Sequence, residues 1–362
     1  MLAPERHELI LRSLRQHGRL RVTELVAELG VSAITVRRDL AELDSAGLLR
    51  RVHGGAIGPS AEGRNGSHGS QVTIGIVVPS AATYYSDVIR GAEAMADRYG
   101  ARLVLGVSSY DVAKEQERIE RVLGVGVAGL LLSTALGDGD ADRIGSLLDD
   151  IDAPLVLMER AFGFPQVARE YDHVRTDHAY GAMLALRHFV SLGHRRIAIN
   201  LQATVTAYWL RRGLEQAASA LDVELFLSPV DLPAHGDDPA AQAQLDAFLA
   251  ECESFGSRAV LVHSDEHGAR LVERAMERGL RVPEDLAVIA YNDVTAALAV
   301  VPLTAVCPPK FALGETACEL LLRKLQGGPA PVQHLSLLPY LNIRTSCGTA
   351  LTTEPGVGLF RN

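Results

Sequence analysis

The sequence predicts an α/β protein made of two parts: a small helical head that ends in a hairpin, and a larger body with two parallel sheets covered by helices. The chain has 362 residues and is 48% hydrophobic, which is ample for more than one core. Charge is divided unevenly, because residues 1–57 carry nine arginines and seven acidic residues, a balance of +2, and the remainder carries −11, for a total of −9. Beyond residue 71 short apolar runs alternate with amphipathic segments. This combination favours a basic reading head attached to an acidic body.

Three short helices are predicted in the head. The first covers residues 5–17 and the second begins at Thr23. The third begins after Ser32, whose hydroxyl is suited to cap it. The apolar positions of this third helix recur at i, i+4 and i+7, and we expect them in the core: Val36, Leu40 and Leu43.

The opposite side of the third helix is basic, and residues 48–57 alternate enough for a small two-stranded wing. A basic helix beside a wing suits an element in the DNA major groove with the wing on the phosphates. Scattered arginines often only decorate a solvated surface, but their place in this motif favours DNA contact. Whether Arg37 or Arg38 reads a base edge stays open. The expected DNA-binding residues are Ser32, Ala33, Thr35, Arg37, Arg38, Arg51 and His53.

Residues 58–71 are predicted to be a flexible linker. Six glycines lie between Gly54 and Gln71 among polar residues, and no apolar period survives there. A loose linker transmits orientation poorly. We therefore expect control of the head by the body to be modest, or to require the linker to order on DNA.

The body is predicted to contain two doubly wound lobes. Uninterrupted apolar strands separated by helices indicate parallel sheets covered on both faces, and there are too many such units for one compact sheet. The apolar runs are residues 72–78, 103–107, 129–132, 155–158, 197–200, 260–262 and 286–290. The helical stretches are residues 87–99, 114–123, 179–192, 242–252 and 268–278.

Several classes of protein are disfavoured. No apolar run approaches the roughly 20 residues that span a bilayer, and no basic segment leads into an apolar core at the N-terminus. The cysteines are widely spaced without a Cys-x-x-Cys pair, which favours reduced thiols over disulfides or zinc. We therefore expect a cytoplasmic protein with no metal or other cofactor. The four cysteines are Cys252, Cys307, Cys318 and Cys347.

Two motifs that suggest cofactor or catalytic sites have simpler interpretations. Residues 124–129 match Gly-x-Gly-x-x-Gly, but they follow a helix and precede a strand, the reverse of what a dinucleotide requires. Residues 263–267, His-Ser-Asp-Glu-His, leave a strand in alternating directions and do not converge as a triad. Ser264 or Asp265 as a helix cap is the simpler role. With no nucleophile–base pair elsewhere, we do not expect an enzyme.

The head resembles the winged helix-turn-helix domain of the DeoR family over residues 5–57. This resemblance implies a DNA-binding head. It rests on Arg6, Val31-Ser32, residues 35–40 (Thr-Val-Arg-Arg-Asp-Leu), Gly47 and residues 51–56 (Arg-Val-His-Gly-Gly-Ala).

The body resembles the sensor fold shared by the LacI family and ribose-binding proteins over residues 72–347. DeoR-type proteins usually carry a sugar-phosphate-type sensor, and LacI-type proteins a different helix-turn-helix, so the chain resembles a chimera. The matching motifs are residues 74–79 (Ile-Gly-Ile-Val-Val-Pro), 126–129, 192–198 (Leu-Gly-His-Arg-Arg-Ile-Ala), 278–285, 291–293 (Tyr-Asn-Asp) and 302–304.

The LacI-type resemblance implies two lobes crossed by three strands, with a small ligand between them at the carboxyl ends of strands. The first lobe is expected at about residues 72–175 and 305–326, the second at about 176–304 and 327–347, and a loose tail at 348–362. In the first lobe and at its crossover, the implied effector-binding residues are Thr83, Tyr84, Tyr85, Asp111, Glu159, Arg160 and Asp177.

The second lobe departs from the family pattern, because polar anchors are weakened or lost at Leu210, Ser264, Asn292 and Pro308. A buried hydroxyl without a partner costs about 1–3 kcal/mol, so an ordinary pyranose is disfavoured. Either the ligand is less polar on that side, or neighbours such as Trp209, Arg211 and His263 replace the missing groups. The expected residues of this lobe are Trp209, Ser264 and Asn292.

These expectations describe a transcription regulator, a repressor, that binds double-stranded operator DNA as a homodimer and responds to a sugar or sugar-like metabolite. A solute-binding protein of a transport system fits the body alone, but the head counts against it. The effector, the operator, activation in place of repression, and a tetramer in place of a dimer stay open. The tail has no heptad pattern, which disfavours a coiled-coil tetramer.

Overall fold

The computed structural model describes residues 6–7, 9–11, 13, 19–45, 50–52, 55–57, 71–137, 140–162, 170–230, 232, 239–327 and 330–348. Residues 58–70 of the predicted linker, residues 349–362 of the predicted tail, part of the first predicted helix, and His53 lie outside these residues. The chain divides into two compact units, Met1–Ser70 and Gln71–Asn362.

The head contains two described helices of defined extent and a three-stranded antiparallel sheet in the order β1-β3-β2. The predicted two-stranded wing is β2 and β3. The third strand was not predicted, because Arg19-Leu20-Arg21 is too short to show an apolar period. The elements are β1 (Arg19–Arg21), α1 (Val22–Leu29), α2 (Ala33–Ser45), β2 (Arg50–Val52) and β3 (Gly55–Ile57). Residues 6, 7, 9–11 and 13 are helical.

One apolar cluster holds the head together. The three positions predicted for the third helix are confirmed in it, since Val36, Leu40 and Leu43 are 0%, 1% and 3% exposed. Burying side chains of this size contributes about 1.5–3 kcal/mol each. The buried members of the cluster are Ile10, Leu20, Leu25, Leu29, Val36, Leu40 and Leu43.

The body has two six-stranded sheets. The first has the order β14-β8-β7-β6-β4-β5 and is wholly parallel, and the second has the order β10-β9-β11-β12-β13-β15, parallel except for the β13–β15 pair. The predicted α/β class with two doubly wound lobes is confirmed. The strands are β4 (Thr73–Val78), β5 (Arg102–Val107), β6 (Leu130–Leu132), β7 (Leu155–Met158), β8 (Asp172–Thr176), β9 (Arg196–Asn200), β10 (Glu224–Leu227), β11 (Ala259–Val262), β12 (Ala287–Tyr291), β13 (Thr304–Cys307), β14 (His334–Leu337) and β15 (Tyr340–Asn342).

Helices connect these strands in the manner of βαβ units. They are α3 (Tyr84–Arg98), α4 (Val112–Gly124), α5 (Ala141–Asp149), α6 (His178–Ser191), α7 (Val205–Leu221), α8 (Pro239–Phe255), α9 (Asp265–Glu277) and α10 (Lys310–Leu325), with short 3₁₀ turns at Ala296–Leu298 and Thr345–Cys347. None of the helices within the described residues is long and apolar enough to cross a membrane.

The chain crosses between the two sheets three times: from β8 to β9, from β13 through α10 to β14, and from β14 to β15. The crossovers lie elsewhere than expected in two respects. β13 belongs to the second sheet, although its residues 305–307 were assigned to the first lobe. β14 belongs to the first sheet, although its residues were assigned to the second. Both strands are only four residues long, and short strands carry little information about which sheet they join.

Close helix packing in both lobes depends on glycine. A Cβ at Gly314 of α10 would lie 1.9 Å from the backbone oxygen of Val88 in α3, and one at Gly213 of α7 would lie 2.4 Å from that of Ala179 in α6. The helices therefore approach each other at distances that no larger residue permits at these positions.

Candidate DNA-reading helix and effector cavity

The N-terminus of α2 is capped as predicted. Ser32 Oγ accepts a hydrogen bond from the backbone N–H of Thr35 at 3.2 Å, and the two hydroxyls lie 3.0 Å apart. This cap satisfies an otherwise unpaired amide and is typically worth about 1 kcal/mol. Ser32 and Thr35 are thus placed at the end of α2 that enters the groove in helix-turn-helix proteins.

The outer face of α2 carries Arg38. Its side chain is 81% exposed and forms an i,i+4 pair with Glu42 at 3.2 Å. Such an exposed pair contributes little to stability, so the guanidinium remains available to another partner. The side chains of Ala33, Arg37 and Arg51 lie outside the described residues.

A buried ion pair fixes α2 from its inner side. Both carboxylate oxygens of Asp39 accept from Arg6, at 2.8 and 2.9 Å, and Asp39 is 2% exposed. The hydrogen bond from Arg6 lowers the pKa of Asp39 below its usual range. His7 and Glu42 also lie close enough to share a cation with Asp39, but the Arg6 contacts already occupy the Asp39 oxygens, so this cluster is an ion-pair network.

A cavity of about 260 Å³ lies between the two lobes of the body. Its walls come from the carboxyl ends of strands in both sheets, as expected of doubly wound folds. The lining residues are Tyr84, Tyr85, Tyr110, Ala135, Glu159, Arg160, His178, Ala203, Thr204, Val205, Thr206, His263 and Asn292.

Glu159 is the centre of a hydrogen-bonded chain on the first-lobe wall. Oε1 accepts from the hydroxyls of Tyr84 and Thr176, the latter at 2.7 Å, and Oε2 accepts from the Thr176 N–H at 3.1 Å. Oε2 also lies 3.2 Å from His178 Nε2, and His178 Nδ1 lies 2.9 Å from the hydroxyl of Tyr291. This series of hydrogen bonds therefore runs from the first sheet through the crossover to β12 of the second sheet.

The groups that are hydrogen-bonded to Glu159 favour its charged form. Burial alone would raise the pKa of Glu159, but the charge and hydrogen bond of His178, together with the hydroxyls of Tyr84 and Thr176, lower it to about 2. Burial and then the Glu159 charge raise the pKa of Tyr84 well above its usual value. With four donors around it, the carboxylate has little capacity left for a ligand.

Arg160, which the resemblance implied as an effector-binding residue, is bonded to backbone carbonyls and not to the Glu159 carboxylate. Its Nε donates to the backbone oxygen of Thr134 at 2.8 Å, and its Nη1 donates to the backbone oxygen of Glu159 at 2.9 Å. The side chain is 7% exposed and borders the cavity. Since carbonyls hold it in place, its guanidinium offers the cavity a positioned donor. Glu159 instead acts by orienting its neighbours.

The second-lobe wall is built differently. Thr204 is the N-cap of α7 and makes no capping hydrogen bond with its side chain. Asn292 follows β12 with a φ of 99°, and its backbone oxygen accepts from Lys310 Nζ. His263 is 5% exposed, and burial, reinforced by the nearby His178 and His267, lowers its pKa to about 3. The wall thus consists of neutral groups.

Five expected effector residues do not line the cavity. Thr83, Asp111 and Asp177 are N-caps of α3, α4 and α6; Asp111 accepts from Ala113 N and Lys114 N at 2.9 and 3.1 Å, and Asp177 accepts from Tyr180 N at 3.0 Å. Trp209 is stacked 4.3 Å from the Arg175 guanidinium, and the Ser264 hydroxyl lies 2.6 Å from His267 Nδ1. Thr83 makes no capping hydrogen bond with its side chain. Local partners hold the side chains of the other four residues, which sequence spacing does not reveal.

Sequence reasoning placed Tyr84, Tyr85, Glu159, Arg160 and Asn292 correctly on the cavity. It missed Tyr110, His178 and the segment 203–206, and offered His263 only as a substitute. Tyr110 and His178 are direct neighbours of Asp111 and Asp177, so the expected loops border the cavity through residues other than those named. The carboxyl-end rule, applied to β9, would have indicated segment 203–206.

Sequence profiles match the chain in three places. The DeoR-like helix-turn-helix domain matches residues 6–62. The profile of periplasmic binding proteins and the sugar binding domain of the LacI family matches residues 71–221, and the periplasmic binding protein-like domain matches residues 186–347.

Curated relatives extend over most of the chain. An arabinose metabolism transcriptional repressor of Geobacillus stearothermophilus is 26% identical, covering 84% of each chain. A ribose operon repressor of Haemophilus influenzae is 27% identical, covering 80% of this chain and 85% of its own. Among solved structures, the complex of the transcriptional regulator CelR with cellobiose has a TM-score of 0.63 at 25% identity, covering 87% of this chain and 91% of that one.

Proposed function

We propose that the chain is a transcriptional repressor, not an enzyme, that joins a DeoR-like head to a LacI-type sensor and is controlled by a sugar or sugar-like metabolite. The observation that carries the proposal is the cavity between the lobes, whose walls belong to both sheets. A ligand bound there contacts both lobes at once and stabilises one arrangement of the two. It can shift that equilibrium only by its difference in affinity for the arrangements.

The head reads the operator with α2. The capped N-terminus at Ser32 and Thr35 and the exposed Arg38 support this role, and Ala33 and Arg37 belong to the same helix. Arg51 and His53 of the wing contact phosphates. Cationic contacts of this kind supply much of the affinity and make it fall with salt.

The regulator acts as a homodimer on two half-sites. A two-fold arrangement of heads explains how a small sensor movement changes DNA affinity, because half-sites about 34–36 Å apart accept only one head spacing. The expected outcome of effector binding is release of the operator.

The proposal is tested by a mobility-shift assay on DNA upstream of neighbouring genes. A triple variant with Arg37, Arg38 and Arg51 changed to Ala is compared with the parent at matched salt. A control with Arg90, Arg121 and Arg323 changed to Ala removes the same charge from exposed sites of the body. We expect the head variant to lose binding and the control to keep it.

Equal binding by the head variant and the parent contradicts the proposal. Absence of any shift with the parent chain favours the solute-binding alternative instead.

A further inference from the structure

We propose that the stacked pair of Arg175 and Trp209 is a latch between the lobes, which holds them in the arrangement that encloses the cavity and releases when they separate. Neither residue is among those that line the cavity, so the pair acts on the arrangement of the lobes and not as a contact to a ligand. The inference rests on the proposed function, because it assigns two residues to the equilibrium between lobe arrangements on which that function depends.

The latch joins elements of different lobes. Arg175 belongs to β8, which pairs with β7 and β14 in the first sheet. Trp209 belongs to α7, which follows β9 of the second sheet. The guanidinium carbon of Arg175 lies 4.3 Å from the centre of the Trp209 ring. At this distance the cation is attracted to the negative face of the indole. The stack is therefore a direct attraction between the two lobes.

The first two turns of α7 form a face of the second lobe that meets the first lobe. Val205 and Trp209 are four residues apart and lie on one side of the helix. A Cβ at Gly137, in the loop after β6 of the first sheet, would lie 3.5 Å from Cγ2 of Val205. Another side of the helix buries Leu210 and Leu214 in the core of the second lobe. The helix therefore moves with the second lobe, and separation of the lobes on this side breaks both contacts with the first.

The Arg175 guanidinium is only partly satisfied in this arrangement. Its Nη1 is buried and has no hydrogen-bond partner within the described residues. A buried donor without a partner is costly, and water reaches it once the lobes separate. The stack thus holds the lobes together against the cost of an unsatisfied donor. A contact that must open and close reversibly requires such a balance.

Two other half-buried arginines show how the latch differs from a structural ion pair. Arg274 donates to both carboxylate oxygens of Asp246, at 2.9 and 2.7 Å, and Arg344 lies 2.8 Å from Asp293. In each pair both residues belong to the second lobe. Such charge-assisted pairs are strong, whereas the partner of Arg175 is a neutral ring on the opposite lobe. The latch is therefore the weaker type of contact, placed where the lobes part.

The first experiment uses the fluorescence of Trp209, which is the sole tryptophan of the chain. Gly137→Phe places a ring against Val205 and forces the lobes apart at a point away from the stack. Gly137→Ala is the matched control, because its Cβ makes only an ordinary van der Waals contact. We expect stronger quenching by acrylamide and emission at longer wavelength in Gly137→Phe, and the fluorescence of the parent in Gly137→Ala. Unchanged fluorescence in Gly137→Phe contradicts the inference.

The second experiment measures amide hydrogen exchange on the full-length chain by mass spectrometry. It compares residues 133–137 of the first lobe with residues 203–206 of the second, since both segments contain cavity-lining residues. Trp209→Leu removes the aromatic face and leaves Arg175 in place, and Trp209→Phe restores a smaller aromatic face. The control is Phe255→Leu, which breaks an aromatic pair with Phe226 within the second lobe, at 5.6 Å between ring centres.

We expect both segments of Trp209→Leu to exchange about fivefold or more faster than in the parent, the factor that corresponds to about 1 kcal/mol of lost cation–π attraction. Trp209→Phe should recover most of the protection, and Phe255→Leu should match the parent in both segments. Thermal unfolding of each variant verifies the fold.

Faster exchange of residues 203–206 alone overturns the inference, because the stack would then stabilise only the start of α7. Equal acceleration in Trp209→Leu and Trp209→Phe overturns it as well, since the loss would then come from packing and not from the aromatic face. Failure of the parent to bind operator DNA counts against the proposed function, whereas the fluorescence and exchange results decide only the latch.

Discussion

The two walls of the cavity between the lobes use polar groups in opposite ways. On the first lobe, Glu159 is saturated by donors from its own chain, and Arg160 is anchored by backbone carbonyls. On the second lobe, Nδ1 of the buried His263 has no hydrogen-bond partner among the described residues, and Thr204 leaves its helix uncapped by a side chain. The difference teaches that burial of a polar group does not tell whether it serves the fold or a ligand. What distinguishes the two cases is the number of hydrogen-bond partners that the group already has within the protein.

The largest effect is expected on the saturated wall. Glu159→Ala removes the acceptor shared by Tyr84, Thr176 and His178 and leaves several buried donors unpaired. We expect a loss of about 3 kcal/mol or more in the free energy of unfolding, measured by chemical denaturation. Glu117→Ala, at a 53% exposed carboxylate paired only on the surface, is the control and should change stability by less than about 1 kcal/mol. Equal losses in the two variants would refute the contrast between the walls.

Packing, unlike polar pairing, should be the same in both lobes. Gly314→Ala and Gly213→Ala each push a methyl group into a backbone oxygen of a neighbouring helix. Both should destabilise by about 1–3 kcal/mol, as overpacking does. Gly124→Ala, where an added Cβ meets nothing within 4 Å, is the matched control and should be close to neutral. A large effect in only one lobe would show that the lobes differ in more than their polar groups.

A smaller effect concerns the pH dependence of stability, which differs between His263 on one wall and Glu159 on the other. The pKa of His263 falls from 6.5 to about 3 on folding, so the unfolded chain binds more protons and stability declines as pH falls from about 6.5 toward 3. The pKa of Glu159 falls from 4.5 to about 2, so its contribution is lost only below about 4.5. When the pH is lowered from 7 to 5.5, the free energy of unfolding of His263→Phe should therefore fall by about 1 kcal/mol less than that of the parent.

Denaturation curves at both pH values test this difference. His173 titrates in the same way in the parent and in the variant, so its contribution cancels from the difference between them. An identical pH dependence for parent and variant would mean that folding does not lower the pKa of His263.

The smallest stability effect is expected at the exposed Arg38. Its pair with a half-exposed Glu42 is screened by water, so Arg38→Ala should change the free energy of unfolding by less than about 0.5 kcal/mol. Operator affinity should fall all the same, because only this weak surface pair holds the exposed guanidinium. Asp39→Ala provides the contrast: it removes a buried partner of Arg6 and should destabilise the head measurably. A stability loss in Arg38→Ala equal to that of Asp39→Ala would contradict this assignment.

Periodicity and capping rules predicted the elements well where a helix buries one face. Val36, Leu40 and Leu43 entered the core because their spacing places them on one side of α2, whatever else the chain does. The rules failed for β8 and β14, whose sequences, Asp-His-Val-Arg-Thr and His-Leu-Ser-Leu, have no continuous apolar run. These strands pair because the neighbouring strand is already in place, and such a cause lies outside the segment itself.

For the cavity, the resemblance identified bordering loops but not always the residues of those loops that line it. Asp111 and Asp177 sit on loops that border the cavity, yet each carboxylate accepts hydrogen bonds from the first turn of its own helix. Tyr110 and His178, one position away, point to the cavity instead. A local cap forms at almost no entropic cost, and it therefore competes successfully with a distant ligand for the same oxygen.

The amino-acid order alone therefore determined the class of fold, the division into head and body, and the cap and inner face of α2, because each depends on contacts within a few residues. Tertiary structure decided that Glu159 pairs with His178 rather than Arg160, which sheet received β13 and β14, and that Nδ1 of His263 was left unpaired. Those outcomes depend on groups brought together from distant segments, and hydrogen bonds in a buried cavity depend on tenths of an ångström that no spacing along the chain encodes.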